Sequence, residues 1–239
     1  MKRIRPKVYA VIPAAGSGTR IGGDIKKQFL PLQHKPILIH TLQRFERCSD
    51  VDEIAIAVPE SSIVEMEAIL SQFRLHKISK VIAGGVKRQD SVANVLLRLD
   101  LKDGDIVLIH DGVRPFIESK RISHLVKMCK EYGAAVLAVQ PKDTVRRSTG
   151  GGFFDSTLDR TALWLIQTPQ AFRASILLKA FEKARKDRFS STDEAALVER
   201  LGIKARIAEG SYDNIKITTP EDLELGKLIL ERWQAKGLI

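Results

Sequence analysis

Short apolar runs rich in Val, Ile and Ala recur along this chain as Val8 to Ile12, Glu53 to Val58, Ile78 to Ile82, Asp105 to Ile109 and Ala134 to Val139. Helical periodicity fills the gaps, over Ile37 to Phe45, Ser62 to Phe73, Ser91 to Leu99 and Lys120 to Tyr132, so β and α segments alternate. Strands that are apolar along their whole length must be covered on both faces, and a mostly parallel sheet with helices on either side does this. The pattern therefore predicts an α/β fold, and in such sheets ligands gather beyond the carboxyl ends of the strands. A chain of 239 residues closes a core of this kind as a single domain, 1–239, without cross-links.

The alternation breaks at Pro141 to Arg160. There Lys142 to Ser148 reads like an exposed strand, and Gly150-Gly151-Gly152 turns it back. The spacing predicts a β-hairpin arm protruding over 141–161, and a solvated loop accounts for the same letters. Beyond it, Ser191-Thr192-Asp193-Glu194 places Glu three residues after Ser and Gly202 ends the segment, which predicts a capped helix over 192–201. Thr219-Pro220-Glu221-Asp222 opens a final helix with an N-cap, Pro in the first turn and acids against the dipole. Repeats, low-complexity tracts and linkers are absent from the sequence.

Lys and Arg number 39 against 29 Asp and Glu, a net charge of +10 with a sequence pI near 9.7. Such an excess predicts anionic company: nucleic acid, acidic lipid or phosphorylated small molecules. Against nucleic acid stand an aromatic content of 6%, scattered basic residues and the lack of zinc-finger spacing. Cys48 and Cys129 offer neither a disulfide framework nor a metal-binding spacing, which points to a reducing cytoplasm. The basic start, Met1 to Lys7, imitates a signal peptide, but the apolar run behind it is short, contains Pro13 and stops at Gly16. No run approaches the ~20 apolar residues of a membrane span.

The strongest local signal is Pro13-Ala14-Ala15-Gly16-Ser17-Gly18-Thr19-Arg20, straight after the first strand. Small residues there let backbone N–H groups approach an anion. Ile21 breaks the G-x-G-x-x-G pattern, and Asp24 after Gly23 breaks the P-loop pattern, so the loop is of neither type. A tight β-to-α turn without a ligand explains the loop alone, but Arg20 and Lys27 follow within one short excursion and suit a polyphosphate. Asp111, after the fourth strand run, is placed to hold a divalent metal or a ribose hydroxyl, or to close the strand as an Asx turn. His110 reads as strand-end packing. Gly84-Gly85 and Ser91 could admit a flat base against the backbone, or form a turn with an N-cap. Lys216, within Tyr212 to Pro220, is expected on a short strand near a helix entrance.

Taken in series, PAAGSGTR, KKQFLP, AGGVKRQDSV, HDGVRPF, LDRTALW, QTPQAF, STDEA and DNIKITTPED resemble the 2-C-methyl-D-erythritol 4-phosphate cytidylyltransferases, from about residue 8 to 232. PAAG with a basic residue alone marks only the broad nucleotidyltransferase superfamily; LDRTALW, TDEA and DNIKIT are more specific. The resemblance implies a Rossmann-like, nucleotide-diphospho-sugar transferase-like fold. It implies that Ala14, Ala15, Gly16 and Ser17 cradle CTP, that Gly84, Gly85 and Ser91 meet the cytosine, and that Asp111 and Gly112 lie at the ribose and a Mg²⁺ ion. Arg20 and Lys27 match the family's transition-state stabilisers. Thr144, Arg160, Thr168, Thr192 and Lys216 fall where the family holds the methylerythritol phosphate, with Arg160 and Lys216 counted in the catalytic set. The arm of a relative crosses a homodimer, so Thr144 and Arg160 would serve the neighbouring site. Val86 stands where many members carry an acid, and Gly112 replaces a common Ala.

Physical chemistry agrees with this assignment. In cytidylyl transfer one phosphate anion attacks a phosphorus already surrounded by negative oxygens, so repulsion is the obstacle. A unit charge at 4 Å is worth about 4 kcal/mol at an effective dielectric near 20, so Arg20, Lys27, Lys216 and Mg²⁺ together supply the right kind of stabilisation. A phosphate dianion needs no general base, which fits the lack of His or Cys in triad spacing. The rival within the class is transfer to ribitol 5-phosphate, against which LDRTALW and TDEAA weigh; the rival outside it is a nucleic-acid-binding protein.

Overall fold

The computed structural model describes residues 5–16 and 29–239. In chain order the strands are β1 (Val8–Pro13), β2 (Pro31–Leu32), β3 (Lys35–Pro36), β4 (Glu53–Val58), β5 (Ile78–Ala83), β6 (Ile106–Ile109), β7 (Ala134–Val139), β8 (Arg146–Gly150), β9 (Phe153–Thr157), β10 (Leu165–Arg173) and β11 (Arg206–Glu209). The helices are α1 (Ile37–Glu46), α2 (Ile63–Ser71), α3 (Arg88–Leu96), α4 (Ser119–Tyr132), α5 (Ala174–Lys186), α6 (Ala195–Glu199) and α7 (Pro220–Ala235).

One seven-stranded sheet runs β11-β7-β10-β6-β1-β4-β5. Its pairings are parallel except those of β10, which lies antiparallel between β6 and β7. Alternation along β1 explains the two covered faces. Val8, Ala10 and Ile12 join Leu38 and Phe45 of α1, Met66 of α2 and Leu125 of α4 in one core; Val11 joins Val92 of α3, Leu177 of α5 and Val198 of α6 in the other. A third apolar cluster, with Leu32, Ile37, Phe116, Ile217 and Trp233, seats α7 at the end of the sheet.

The expected fold class is present, and so are the five expected strands, as β1, β4, β5, β6 and β7. β10 is not among the expected strands, because Pro169 interrupts its apolar pattern; in the structure the register shifts between Ile166 and Gln170 to accommodate it. The arm is a hairpin: among the described residues β8 and β9 pair only with each other, and Gly150, Gly151 and Gly152 take positive φ at the turn. The capped helix expected over 192–201 is shorter, α6 alone. Glu194 does not close a capping box with Ser191, because Arg88 takes its carboxylate, and Asp193 Oδ1 instead accepts from Ala196 N–H. The final helix keeps its expected start: Thr219 and Asp222 form a reciprocal capping box with Pro220 in the first turn.

Candidate active site

β1 sits between β4 and β6, and the chain passes from β1 to one side and later returns to the other. This reversal leaves a crevice at the carboxyl ends of β1 and β6. A cleft of about 460 Å³ opens there, walled by Pro13 to Gly16, Gly85 to Arg88, Ser91, Asp111 to Val113, Ser190 to Thr192 and Lys216.

Of the residues expected from sequence, Ala14, Ala15, Gly16, Gly85, Ser91, Asp111, Gly112, Thr192 and Lys216 therefore share one cavity. Gly84 stands immediately behind it. Its N–H donates to the Val58 carbonyl at 2.8 Å, and a Cβ at this position would lie 2.2 Å from the Ala15 Cβ, so only glycine lets the two loops touch. Gly85 N–H donates to Ser91 Oγ at 3.1 Å, tying this turn to α3. Val86 is exposed at the rim and presents no polar group. Ser17, Arg20 and Lys27 lie outside the described residues.

Asp111 is the electrostatic centre. Its Oδ1 accepts from Arg88 Nε at 2.9 Å, its Oδ2 lies 2.8 Å from Lys216 Nζ, and Arg114 stands at 3.7 Å. Burial works to raise the Asp111 carboxyl, but Arg88, Lys216 and Arg114 outweigh it and hold it well below the usual carboxylate range. Arg88 extends the network: its Nη1 donates to Glu194 Oε1 at 2.6 Å and Oε2 at 2.9 Å. Glu194 is 1% exposed, and burial pushes its carboxyl up while Arg88 pulls the other way. Arg88, Arg114 and Lys216 thus meet Asp111 and Glu194 in one charged network at the cleft floor.

Lys216 is held in extended chain, not in the short strand expected for it. Ile217 N–H donates to the Val113 carbonyl at 3.0 Å, and no ladder forms. The segment is fixed instead by its neighbours. Asp213 accepts from Trp233 Nε1 at 3.0 Å, and buried Asn214 donates through Nδ2 to the Thr168 carbonyl at 2.8 Å. Lys216 is consequently anchored at both ends.

Thr168, expected at the acceptor, does not line the cleft. Its buried hydroxyl accepts from Asp111 N–H at 3.0 Å and lies 3.1 Å from His110 Nδ1. His110 Nε2 lies 2.9 Å from the Arg114 carbonyl, so Nε2 donates, Nδ1 accepts and the ring is neutral; burial pushes its pKa down to about 4. His110 packs against Phe45, as strand-end packing predicts, and also fixes the Asp111 main chain through Thr168. Thr144 and Arg160 are exposed at the base of the arm, where Arg160 Nη1 donates to the Lys142 carbonyl, and neither lines this cleft.

Sequence reasoning passed over Arg88, Arg114 and Glu194. Glu194 reads as the acid of a capping pattern and Arg88 has no signal of its own; only the three-dimensional proximity of α3, β6 and the 190–194 loop shows that they meet.

The sheet, its switch point and a cleft walled by small residues and cations define an α/β nucleotidyltransferase. The family model for IspD, 2-C-methyl-D-erythritol 4-phosphate cytidylyltransferase, matches residues 8–232, and the chain belongs to this family. A relative of that name from Syntrophus aciditrophicus is 44% identical over 234 residues, covering 98% of this chain and 100% of the relative. Another from Geotalea uraniireducens is 45% identical over 227 residues, 94% and 97% of the two chains. The crystal structure of 4-diphosphocytidyl-2C-methyl-D-erythritol synthase from Anaerococcus prevotii superposes with a TM-score of 0.83 at 29% identity, over 95% of this chain and 96% of that one. The 2-C-methyl-D-erythritol 4-phosphate cytidylyltransferase of Francisella tularensis gives 0.78 at 34% identity, over 93% and 99%.

Proposed function

We propose that the chain transfers a cytidylyl group from CTP to 2-C-methyl-D-erythritol 4-phosphate, releasing pyrophosphate and forming 4-diphosphocytidyl-2-C-methyl-D-erythritol. The observation that carries this reading is the convergence of the small-residue loop, Asp111, Thr192 and Lys216 on one cleft in a chain of this family. Ala14 to Gly16, Gly85 and Ser91 take the nucleotide; Thr192 and Lys216 face the acceptor. Lys216, held by Asp111 in a fixed position, offers its charge where two phosphate groups must approach, and such pre-organised charge stabilises the crowded transition state. Arg20 and Lys27 complete the cationic set.

Asp111 is the carboxylate on the described cleft wall, and among the described residues no cluster of His, Cys, Asp or Glu could hold a metal alone. Both Asp111 oxygens are engaged by Arg88 and Lys216, so this set suits only a Mg²⁺ delivered with CTP and held chiefly by substrate phosphates and water, with Asp111 as its one protein carboxylate. Bound there, Mg²⁺ would neutralise triphosphate charge.

The active unit is a homodimer joined through the 141–161 arm of a one-domain chain. Phe153 and Phe154 are 78% and 67% exposed on a hairpin that pairs with no other strand among the described residues, and an isolated two-stranded hairpin is marginal in water. Thr144 and Arg160, which do not line their own cleft, then reach the cleft of the second copy. The compartment is the cytoplasm; two buried free thiols, Cys48 and Cys129, suit a reducing environment.

Pyrophosphate release by the purified protein tests the reading, using each of the four nucleoside triphosphates with methylerythritol phosphate or ribitol 5-phosphate, with and without Mg²⁺. The expected result is turnover with CTP, methylerythritol phosphate and Mg²⁺. Turnover with ribitol 5-phosphate alone overturns it.

A further inference from the structure

Two consecutive residues of α3 grip one loop from the same side. Arg88 takes the Glu194 carboxylate. Gln89 takes main chain: its Oε1 accepts from Ser191 N–H at 2.9 Å and its Nε2 donates to the Phe189 carbonyl at 3.2 Å. From the other side Gln170 of β10 accepts from the N–H groups of Glu194 and Ala195 at 3.2 and 3.0 Å, and donates to Asp193 Oδ2 at 3.1 Å. Between these holds lies Thr192, on the cleft wall. Residues 189–194 belong to no helix or strand; Phe189 N–H reaches the Ala184 carbonyl and the Glu194 carbonyl serves α6, but Ser191 N–H, Glu194 N–H and the Phe189 carbonyl take their partners from side chains of α3 and β10. The same α3 also shapes the nucleotide side, because Ser91 binds Gly85 N–H and Asp90 Oδ2 accepts from Lys87 N–H. Gln89 itself faces the groove between α3 and α5, behind the cleft wall.

We infer that Gln89 is a positioning residue for the acceptor side of the cleft: by bolting Phe189 and Ser191 to α3 it sets the place of Thr192, so that one helix aligns both substrate halves. The inference rests on the proposed reading of Thr192 as an acceptor contact. It also separates the two substrates, since the bonds of Gln89 go to the 189–191 loop, whereas Ser91 and Asp90 hold the nucleotide turn.

The test uses Gln89→Met, which keeps the length of the side chain and removes both hydrogen bonds, and Gln89→Glu, which can still accept from Ser191 N–H. Two readouts are taken on the full-length protein with thermal unfolding as a control of folding. In Gln89→Met the Ser191 amide is expected to exchange its hydrogen about tenfold faster, and the KM for methylerythritol phosphate to rise about tenfold with the KM for CTP within about twofold, the scale of one or two lost hydrogen bonds. Gln89→Glu should fall between Gln89→Met and native in both readouts. Unchanged exchange at Ser191 overturns the clamp whatever the kinetics. Faster exchange with an unchanged acceptor KM, while Thr192→Val raises that KM, overturns the positioning role and leaves the site reading standing. If Thr192→Val also leaves the acceptor KM unchanged, the reading of Thr192 falls and the inference with it. An equal rise in both KM values likewise overturns it.

Discussion

Replacing Arg88 by Met should expose how much of the cleft rests on buried charge. Arg88 is the partner of Glu194, whose side chain is almost wholly enclosed, and one of three cations around Asp111. Removing one member of such a pair leaves a buried charge uncompensated, at a cost of about 3–5 kcal/mol. Since the Arg88 side chain is 24% exposed, water can reach part of the site, and the lower end, about 3 kcal/mol, is the better figure. For a chain of this size that is a fall in Tm of roughly 6–12 °C near pH 8. The pH dependence distinguishes this cause from lost packing. Burial raises the Glu194 carboxyl, and without Arg88 it is joined by the charges of Asp111 and Asp193, which push the same way. An acid whose folded pKa lies above its unfolded value, near 4.3, binds more protons in the folded state; the fold therefore loses stability as pH rises through that interval and regains it as pH falls. Differential scanning calorimetry of native and variant protein at pH 8 and pH 5 should show the gap in Tm narrowing at pH 5. A variant as stable as native at pH 8, or a gap that widens on acidification, would refute the electrostatic account of the cleft floor.

Further outcomes follow from the same geometry. Lys216→Met should lower kcat about 100-fold with a smaller change in the KM for CTP, the usual consequence of losing one transition-state contact; a pure KM effect in steady-state kinetics contradicts that role. Gly84→Ala must displace the Ala15 Cβ from 2.2 Å, so it should cost about 1–3 kcal/mol of stability and raise the KM for CTP, and calorimetry with native kinetics would count against the close approach. Arg160→Ala should be nearly inactive alone. Mixed with Lys216→Met and re-equilibrated, it should recover roughly a quarter of native sites if the arm acts in trans. Failure of complementation in mixtures shown to exchange subunits would mean that each site is built from one chain.

Much of this was legible in the sequence for a simple reason: strands buried on both faces leave runs such as Ile54 to Val58 and Ala134 to Val139 that solvent-facing chain does not tolerate. β10 escaped because Pro169 disrupts the run and its pairing is antiparallel, and β11 because it is short and largely exposed. At the site, the small-residue loop and Asp111 could be placed from their position after strand ends. Lys216 is expected on a short strand near a helix entrance; it lines the cleft from irregular chain instead, and its support comes from Asn214 and Trp233, which meet only after folding. The pairing of Arg88 with Glu194 carries no local signal, since it spans 106 residues and Glu194 reads instead as the acid of a capping pattern. Thr168 has the motif of a contact residue, yet its hydroxyl is spent on Asp111 N–H and His110.

The most direct test of the account is a crystal structure of the protein with CTP. The cleft predicts cytosine beside Gly85 and Ser91, ribose at Asp111, and the triphosphate over Ala14 to Gly16, leading towards Lys216. Nucleotide bound anywhere else, with this cleft still empty at saturating CTP, would contradict it.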